Sequence, residues 1–140
     1  VAATGLLIPM QCEYYALEEL TALLETQSRI KEHLNPQLEI IGILRTMVDM
    51  RNSLTKDVTA QLHEYFGDQV FRTMIPRNVR LAEAPSHGLP ALLYDAQSVG
   101  AKTYLALAGE LIGRLSPPTH ANESGIASAS GEGQSVTLHN

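Results

Sequence analysis

The chain has 140 residues, of which 44% are hydrophobic and 18% are charged, as expected for one globular domain or for part of a larger one. Fifteen Asp and Glu against ten Lys and Arg give a net charge of −5, which excludes a polycation that coats nucleic acid or anionic lipid. One cysteine excludes an intramolecular disulfide, and no apolar run approaches the roughly 18 residues that span a bilayer. We therefore predict a cytoplasmic protein that does not span a membrane.

Hydrophobic residues follow strand and helix periods in turn along the first part of the chain. Leu6 to Met10 form a short apolar run, which predicts a buried strand. Apolar residues then step by three and four, which predicts an amphipathic helix over 15–34. The predicted buried stripe of this helix contains Ala16, Leu20, Leu23, Ile30 and Leu34.

Two further pairs of strand and helix follow. A second strand over 38–44 leads to a polar loop, after which Ser53 is predicted to cap a helix that ends at Gly67. A third strand covers 70–75. The next stretch carries Pro and Gly and is predicted to be irregular, and Ser98 is predicted to cap the last helix.

This alternation predicts an α/β fold, with a mostly parallel sheet flanked by helices. In such folds ligands bind at the carboxyl ends of the strands, so the segments after Pro9, Met47 and Ile75 are the candidate binding positions. Residues 116–140 are rich in Ser, Gly and Pro and lack aromatic and basic side chains other than histidine, so we predict a disordered tail.

Short catalytic motifs are absent or incomplete. The nearest match to a phosphate-binding loop, over 100–103, has Ala101 where a glycine should precede the lysine. The five histidines are scattered and form no metal-ligand pair, and nothing brings Cys12 and His87 together as nucleophile and base. We therefore assign no catalytic and no metal-binding residue.

The arginines are more informative than the histidines. Arg72, Arg77 and Arg80 occur within nine residues without an intervening acid, beside a strand end. They form either a solvated basic face or a site for anionic groups, such as the phosphates of nucleic acid or of a nucleotide.

Three separated blocks, in order and at consistent spacing, closely resemble the ParA/Soj family of chromosome-partitioning ATPases. The first is IPMQCEYYALE over 8–18, the second contains Thr46, Met47 and residues 49–52, and the third is IPRNVRLAEAPSHG over 75–88. The likeness extends in order from the first residue to about position 115. It is far more specific than any single short motif.

The resemblance implies a deviant Walker-type P-loop ATPase that binds ATP with Mg²⁺ and forms a homodimer on ATP. It also implies non-specific binding to double-stranded DNA, association with the nucleoid, and stimulation by a ParB-like centromere-binding protein. In this family the P-loop and the magnesium-binding aspartates precede the first block, so we expect residues 1–115 to be the C-terminal half of the ATPase domain. A chain without those groups cannot hold Mg-ATP for hydrolysis, and we expect it alone to bind no cofactor and hydrolyse no ATP.

The same resemblance assigns a nucleotide site. Pro76, Arg77 and Asn78 correspond to the adenine pocket, where backbone groups and the Asn side chain meet the base edge. Thr46 and Met47, at the end of the neighbouring strand, correspond to its wall.

The resemblance also assigns two other surfaces. Arg51 and Arg80 correspond to the non-specific DNA contacts, as suits guanidinium groups that bind phosphates without reading bases. Glu13, Tyr14 and Tyr15 correspond to part of the dimer interface.

Two alternative functions remain open on sequence grounds. One is an α/β module without a P-loop, which binds DNA or a partner protein through Arg51 and Arg80. The other is a MinD-like ATPase that acts at membranes. The second calls for a basic amphipathic helix near the C-terminus, whereas the last predicted helix carries only Lys102 and Arg114.

Overall fold

The computed structural model describes residues 1–13 and 15–116, in which strands and helices alternate. The strands are β1 (Gly5–Gln11), β2 (Glu39–Val48) and β3 (Val70–Pro76). The helices are α1 (Ala16–His33), α2 (Ser53–Phe66), α3 (Val79–Glu83), α4 (Ala91–Tyr94) and α5 (Val99–Leu115). Position 14 and the predicted tail from 117 onward lie outside the described residues.

The three strands form one parallel sheet in the order β1-β2-β3, which confirms the predicted α/β class. Each face of the sheet carries its own core. On one face, Ile43 of β2 and Leu62 of α2 are fully buried in a cluster with residues of α1. On the other face, Phe71 of β3 is fully buried against Leu107 of α5. No helix within the described ranges is long and apolar enough to cross a bilayer.

Two of the three predicted helix caps are confirmed. Gly67 ends α2 with φ +50°, and the Ser98 hydroxyl accepts a hydrogen bond from the Ala101 amide at 3.1 Å at the start of α5. The predicted cap at Ser53 is wrong. Asn52 is the residue with extended backbone, and its Oδ1 accepts from the Leu54 amide at 3.0 Å, so Ser53 is already helical.

The buried stripe of α1 differs in part from the prediction. Ala16 and Leu20 are buried as expected, whereas Leu23 is 41% exposed. Leu17 and Leu24 pack against the core instead. Because 3.6 residues complete a turn, the step from Leu20 to Leu24 keeps to one side of the helix, and the helix axis decides which neighbouring leucine faces the sheet. The stretch after β3, predicted to be irregular, forms the short helices α3 and α4.

The pairing of β2 with β3 is interrupted in its middle. Ile43 pairs with Val70 and Arg45 pairs with Met74, so β2 advances by two residues while β3 advances by four. The extra residues of β3 cannot pair with the β2 backbone, and their amide and carbonyl groups, some of them buried, need other partners.

Two charged side chains supply those partners. The buried Arg45 guanidinium donates from Nη2 to the carbonyls of Phe71 and Arg72, at 2.9 and 3.4 Å. From the other side, the Glu110 carboxylate accepts from the amides of Arg72 and Thr73, at 2.7 and 3.0 Å. Burial raises the pKa of Glu110, but these backbone donors outweigh it and hold that pKa below the ordinary value. The ionised Glu110 carboxylate therefore accepts the hydrogen bonds of two β3 amides that do not pair with β2.

The interrupted pairing of β2 with β3 is called the β2–β3 seam below. Arg114, in the last turn of α5, binds backbone carbonyls at the amino end of this seam. Its guanidinium donates to the carbonyls of Ile41, Gln69 and Val70, at 2.9, 3.2 and 3.1 Å. It also stacks over the Phe71 ring, 4.0 Å from the ring centroid. One side chain thus joins α5 to the backbones of both β2 and β3.

We expect Arg114→Ala to lower the free energy of unfolding by about 2 kcal/mol, because three carbonyls lose charge-assisted donors at once. Lys102→Ala is the matched control, since Lys102 lies exposed on the same helix with no side-chain partner among the described residues. Urea unfolding of the chain at low concentration, followed by circular dichroism, measures the difference. Equal losses in the two variants would contradict the role of Arg114.

Candidate nucleotide and DNA site

The carboxyl ends of β2 and β3 lie side by side. Val48 is the register partner of Pro76, and the Arg77 amide donates to the Val48 carbonyl at 3.1 Å. The predicted wall residues, Thr46 and Met47, therefore end one strand beside the strand that ends at Pro76 and Arg77. Sequence analysis placed these two segments in one pocket, and the fold brings them to one edge of the sheet.

Met47 has an unusual backbone conformation for a residue at a strand end. Its φ is +52°, and it is the one residue other than glycine with positive φ within the described ranges. Its side chain is also 45% exposed. An L-residue in the left-handed region is strained by roughly 1 kcal/mol, and such strain concentrates where a chain binds ligands. The strained residue coincides with the predicted nucleotide wall.

Asn78 has one half of its side-chain amide engaged and the other half available. Its Oδ1 accepts from the Arg80 amide at 3.0 Å, and its extended backbone makes it the N-cap of α3. Its Nδ2 has no hydrogen-bond partner among the described residues. The side chain is half-buried and can therefore donate to an acceptor on the edge of a base while it caps the helix.

Arg51 is held by the carboxylate two residues before it. Its Nε and Nη2 donate to the two Asp49 oxygens at 3.0 and 2.9 Å, and its backbone amide donates to the same carboxylate at 3.1 Å. The guanidinium and amide donors of Arg51 lower the pKa of Asp49 to about 2, so this carboxylate is ionised at neutral pH. The Arg51 side chain nevertheless remains 92% exposed.

Arg80 lies between two carboxylates. Its Nη1 is 3.2 Å from Glu83 Oε2, and its Nε is 3.5 Å from Asp95 Oδ2. The Tyr94 hydroxyl donates to the same Glu83 oxygen at 2.9 Å. The predicted DNA contact is thus part of a network that joins α3 to the end of α4.

The basic stretch does not form one patch. Arg72 lies within β3 and Arg77 directly follows the end of that strand, five residues further on, which separates them by about 17 Å. Arg72 lines a cavity near the amino end of the sheet, together with Arg114 and Glu110, whereas Arg77 is exposed at the carboxyl edge. Arg80 follows Arg77 onto α3, and the fold brings these two to one edge of the sheet.

The predicted dimer residues lie elsewhere, beside the edge strand β1. Glu13 and Tyr15 are exposed and line a cavity of about 700 Å³ between the end of β1 and the start of α1. Ile8 and Met10 of β1 form its inner wall. Tyr14 lies outside the described residues.

The acidic partners of Arg51 and Arg80 were not predicted from the sequence. Glu83 is three residues after Arg80, a helical spacing that favours an ion pair and could have been recognised. Asp49 is two residues before Arg51 in a loop, where an Asp side chain commonly accepts from the amide two residues on. Asp95 is fifteen residues from Arg80, and no local pattern reveals its contact with Arg80.

Comparison with known proteins agrees with the fold and with the sequence blocks. The model of the CobQ/CobB/MinD/ParA nucleotide-binding domain matches residues 9–91, and the chain belongs to this family. It is 61% identical over 119 residues to a Pseudomonas putida protein from the gidB 3′ region, covering 85% of this chain and 45% of that protein. It is 55% identical over 113 residues to the chromosome-partitioning ATPase Soj of Treponema pallidum, covering 81% and 45%. Within the family the chain is a ParA/Soj member, which confirms the resemblance.

Solved structures show the same architecture. Cobyrinic acid a,c-diamide synthase from Mycobacterium smegmatis, with a bound ATP analog and magnesium, matches with a TM-score of 0.59 and 28% identity over 77% of this chain and 38% of that one. The Pyrococcus furiosus cell division ATPase MinD matches with a TM-score of 0.56 and 22% identity over 79% and 43%, a likeness of fold alone. The chain spans less than half the length of these relatives and of the structures it matches.

We expect Met47→Gly to leave the free energy of unfolding unchanged or to raise it by up to about 1 kcal/mol, because glycine adopts positive φ without strain. Met47→Val is expected to lower it by about 1–2 kcal/mol, since a β-branched side chain clashes in that region. Chemical unfolding of both variants measures the contrast. A loss of stability in the glycine variant equal to that of the valine variant would argue against backbone strain at Met47.

Proposed function

We propose that this chain is the base-binding and DNA-binding part of a ParA/Soj-like partitioning ATPase. The observation that carries the proposal is the hydrogen bond from the Arg77 amide to the Val48 carbonyl, which joins the two predicted nucleotide segments at one edge. Family membership supports the same function, because the matched model is a nucleotide-binding domain. ATP, duplex DNA and a ParB-like centromere-binding protein are the proposed ligand and partners.

The adenine base is proposed to bind at the shared edge of β2 and β3. The Asn78 Nδ2 group is an available donor, and acceptor carbonyls of the Pro76–Asn78 segment lie next to it in the chain. The exposed Met47 side chain offers an apolar surface for the face of the base. This combination of one polar donor, backbone groups and an apolar wall is typical of a small-molecule pocket.

The phosphates and Mg²⁺ require other residues. Among positions 1–13 and 15–116, no three His, Cys, Asp or Glu side chains are arranged to hold a metal ion. We propose that an upstream segment supplies the phosphate and metal groups and packs along the open edge of β1. The length of the relatives supports this, since the matched region is 45% of the Soj protein of T. pallidum. The cavity lined by Glu13 and Tyr15 then faces the dimer partner.

Duplex DNA is proposed to bind Arg51 and Arg80. Both side chains are more than half exposed, and both follow the carboxyl ends of adjacent strands. Guanidinium groups at loops and helix starts bind phosphates without reading the base sequence. The proposed DNA contacts are therefore close in sequence to the proposed nucleotide contacts, with Asn78 two residues before Arg80.

Asn78→Ser tests the base site in a protein that joins this chain to the proposed upstream segment. Serine keeps a capping oxygen for α3 but removes the amide donor, so we expect ATP to bind about five- to tenfold more weakly at unchanged thermal stability. Isothermal titration calorimetry measures the affinity. Wild-type affinity in a folded variant would remove Asn78 from the site.

Arg80→Ala and Arg51→Ala test the DNA face in the same protein. Each variant is expected to lose about 1 kcal/mol of ATP-dependent binding to duplex DNA of any sequence, and to reduce the salt slope by about one. Arg29→Ala is the matched control, because Arg29 is exposed on α1 and away from the carboxyl edge. Fluorescence anisotropy against salt measures both quantities. If Arg80→Ala and Arg51→Ala lost no more DNA affinity than Arg29→Ala, the proposed DNA contacts would be wrong. DNA binding that needs no nucleotide would favour the alternative function, an α/β module without a P-loop.

A further inference from the structure

The proposed DNA contact Arg80 is already occupied by protein carboxylates. Glu83 approaches one guanidinium nitrogen at 3.2 Å, and Asp95 approaches another at 3.5 Å. Glu83 is held in place by the Tyr94 hydroxyl at 2.9 Å. A DNA phosphate that binds Arg80 must compete with both carboxylates for the same donors.

The charge of the two arginine sites follows directly from these contacts. One guanidinium and two carboxylates give the Arg80 site a net charge of −1, and the Arg51 and Asp49 pair is neutral. A phosphate that approaches the Arg80 site from solution meets no net positive charge there, whereas Arg77 adds positive charge near the Arg51 and Asp49 pair. At Arg80, the surface that the sequence predicts to be basic is therefore electrostatically masked in this conformation.

We propose that Asp95 and Glu83 are intramolecular competitors of DNA phosphate for Arg80, and that they keep DNA affinity low until this ion-pair network opens. The inference rests on the proposed function, because it concerns regulation of the proposed DNA face. It adds two residues that regulate the site without contacting DNA.

The two carboxylates occupy different parts of the fold, and this difference makes Asp95 the contact that breaks first. Arg80 and Glu83 are both on the five-residue helix α3, which Asn78 caps. Asp95 is instead attached to the start of α5, because its carbonyl accepts from the Ser98 amide and hydroxyl at 3.1 and 2.8 Å. A shift of α3 relative to α5 carries Glu83 along with Arg80 but separates Arg80 from Asp95.

The cap at Asn78 links this network to the base site. Its Oδ1 holds the Arg80 amide, while its Nδ2 is the donor proposed for adenine. A base that pulls on the Asn78 amide therefore acts on the first turn of α3, the turn that carries Arg80. Nucleotide binding and release of Arg80 from Asp95 thus share one side chain.

Asp95→Asn tests the inference in a protein that joins this chain to the proposed upstream segment. Asp95 Oδ1 accepts a hydrogen bond from the Gln97 amide at 3.1 Å. Asparagine keeps an oxygen that can accept this bond and removes only the negative charge. We expect DNA affinity without nucleotide to rise about three- to fivefold, and the further gain on adding ATP to shrink by a similar factor. Glu83→Gln is expected to raise affinity in both states.

Glu64→Gln is the matched control, because it removes one negative charge from an exposed position near the end of α2, at the opposite edge of the sheet. Anisotropy titrations with one non-specific duplex, with and without ATP, compare the three variants. A rise in Asp95→Asn no larger than in Glu64→Gln would overturn the proposal, because general charge would then account for it.

The double variant Arg80→Ala with Asp95→Asn separates failure of this proposal from failure of the proposed function. We expect the gain from Asp95→Asn to disappear when Arg80 is absent. A gain that persists without Arg80 would overturn the competition. If Arg80→Ala alone left DNA binding intact, the proposed DNA face itself would fail. If Arg80→Ala weakened binding while Asp95→Asn and Glu83→Gln had no effect, only this inference would fail.

Discussion

The seam between β2 and β3 is the constraint on which the carboxyl edge depends. The two backbones pair at Ile43, Arg45 and Val48, but the register shifts between these pairs, and side chains bind the backbone groups that the interrupted ladder leaves unpaired. Arg45 of β2 donates to two carbonyls of β3, and Glu110 of α5 accepts from two amides of β3. Unpaired backbone groups at this depth would each cost roughly 1–3 kcal/mol, so the position of β3 relative to β2 depends on these charged groups.

That seam determines where the proposed nucleotide segments lie. Because β2 and β3 come together again at Val48 and Pro76, Met47 and Asn78 occupy one edge in spite of the gap below them. The strain at Met47 is sustained by the same pairing, since the residues on either side of it are held in or beside the sheet. A strained exposed residue beside an available amide donor is the arrangement expected of a ligand site rather than of a core.

The arginines illustrate how charge in the sequence differs from charge in the fold. A count of bases in the stretch from Arg72 to Arg80 predicts a basic surface, yet Arg72 lies far along β3 and Arg80 is balanced by two carboxylates. Arg51 is likewise balanced, by Asp49. Electrostatic attraction for DNA is therefore a property of a particular conformation and not of composition alone. A face that is masked in one state and exposed in another suits a protein whose DNA binding is proposed to depend on ATP.

Sequence by itself determined the order of the three strands and of helices α1, α2 and α5, the parallel class of the sheet, the family, and the caps at Gly67 and Ser98, because periodicity and capping are local properties. It did not reveal the short helices α3 and α4. It misplaced the cap at Ser53, since Asn and Ser are comparable caps and only the backbone conformation at Asn52 selects between them. It could not show that Leu24, and not Leu23, packs against the core, because the rotation of α1 about its axis depends on the sheet beneath it. Tertiary structure alone decided the positive φ of Met47, the guanidinium groups within the β2–β3 seam, and the contact between Arg80 and Asp95. Each of these joins residues distant in sequence or depends on how a neighbouring strand ends, and no local pattern encodes such contacts.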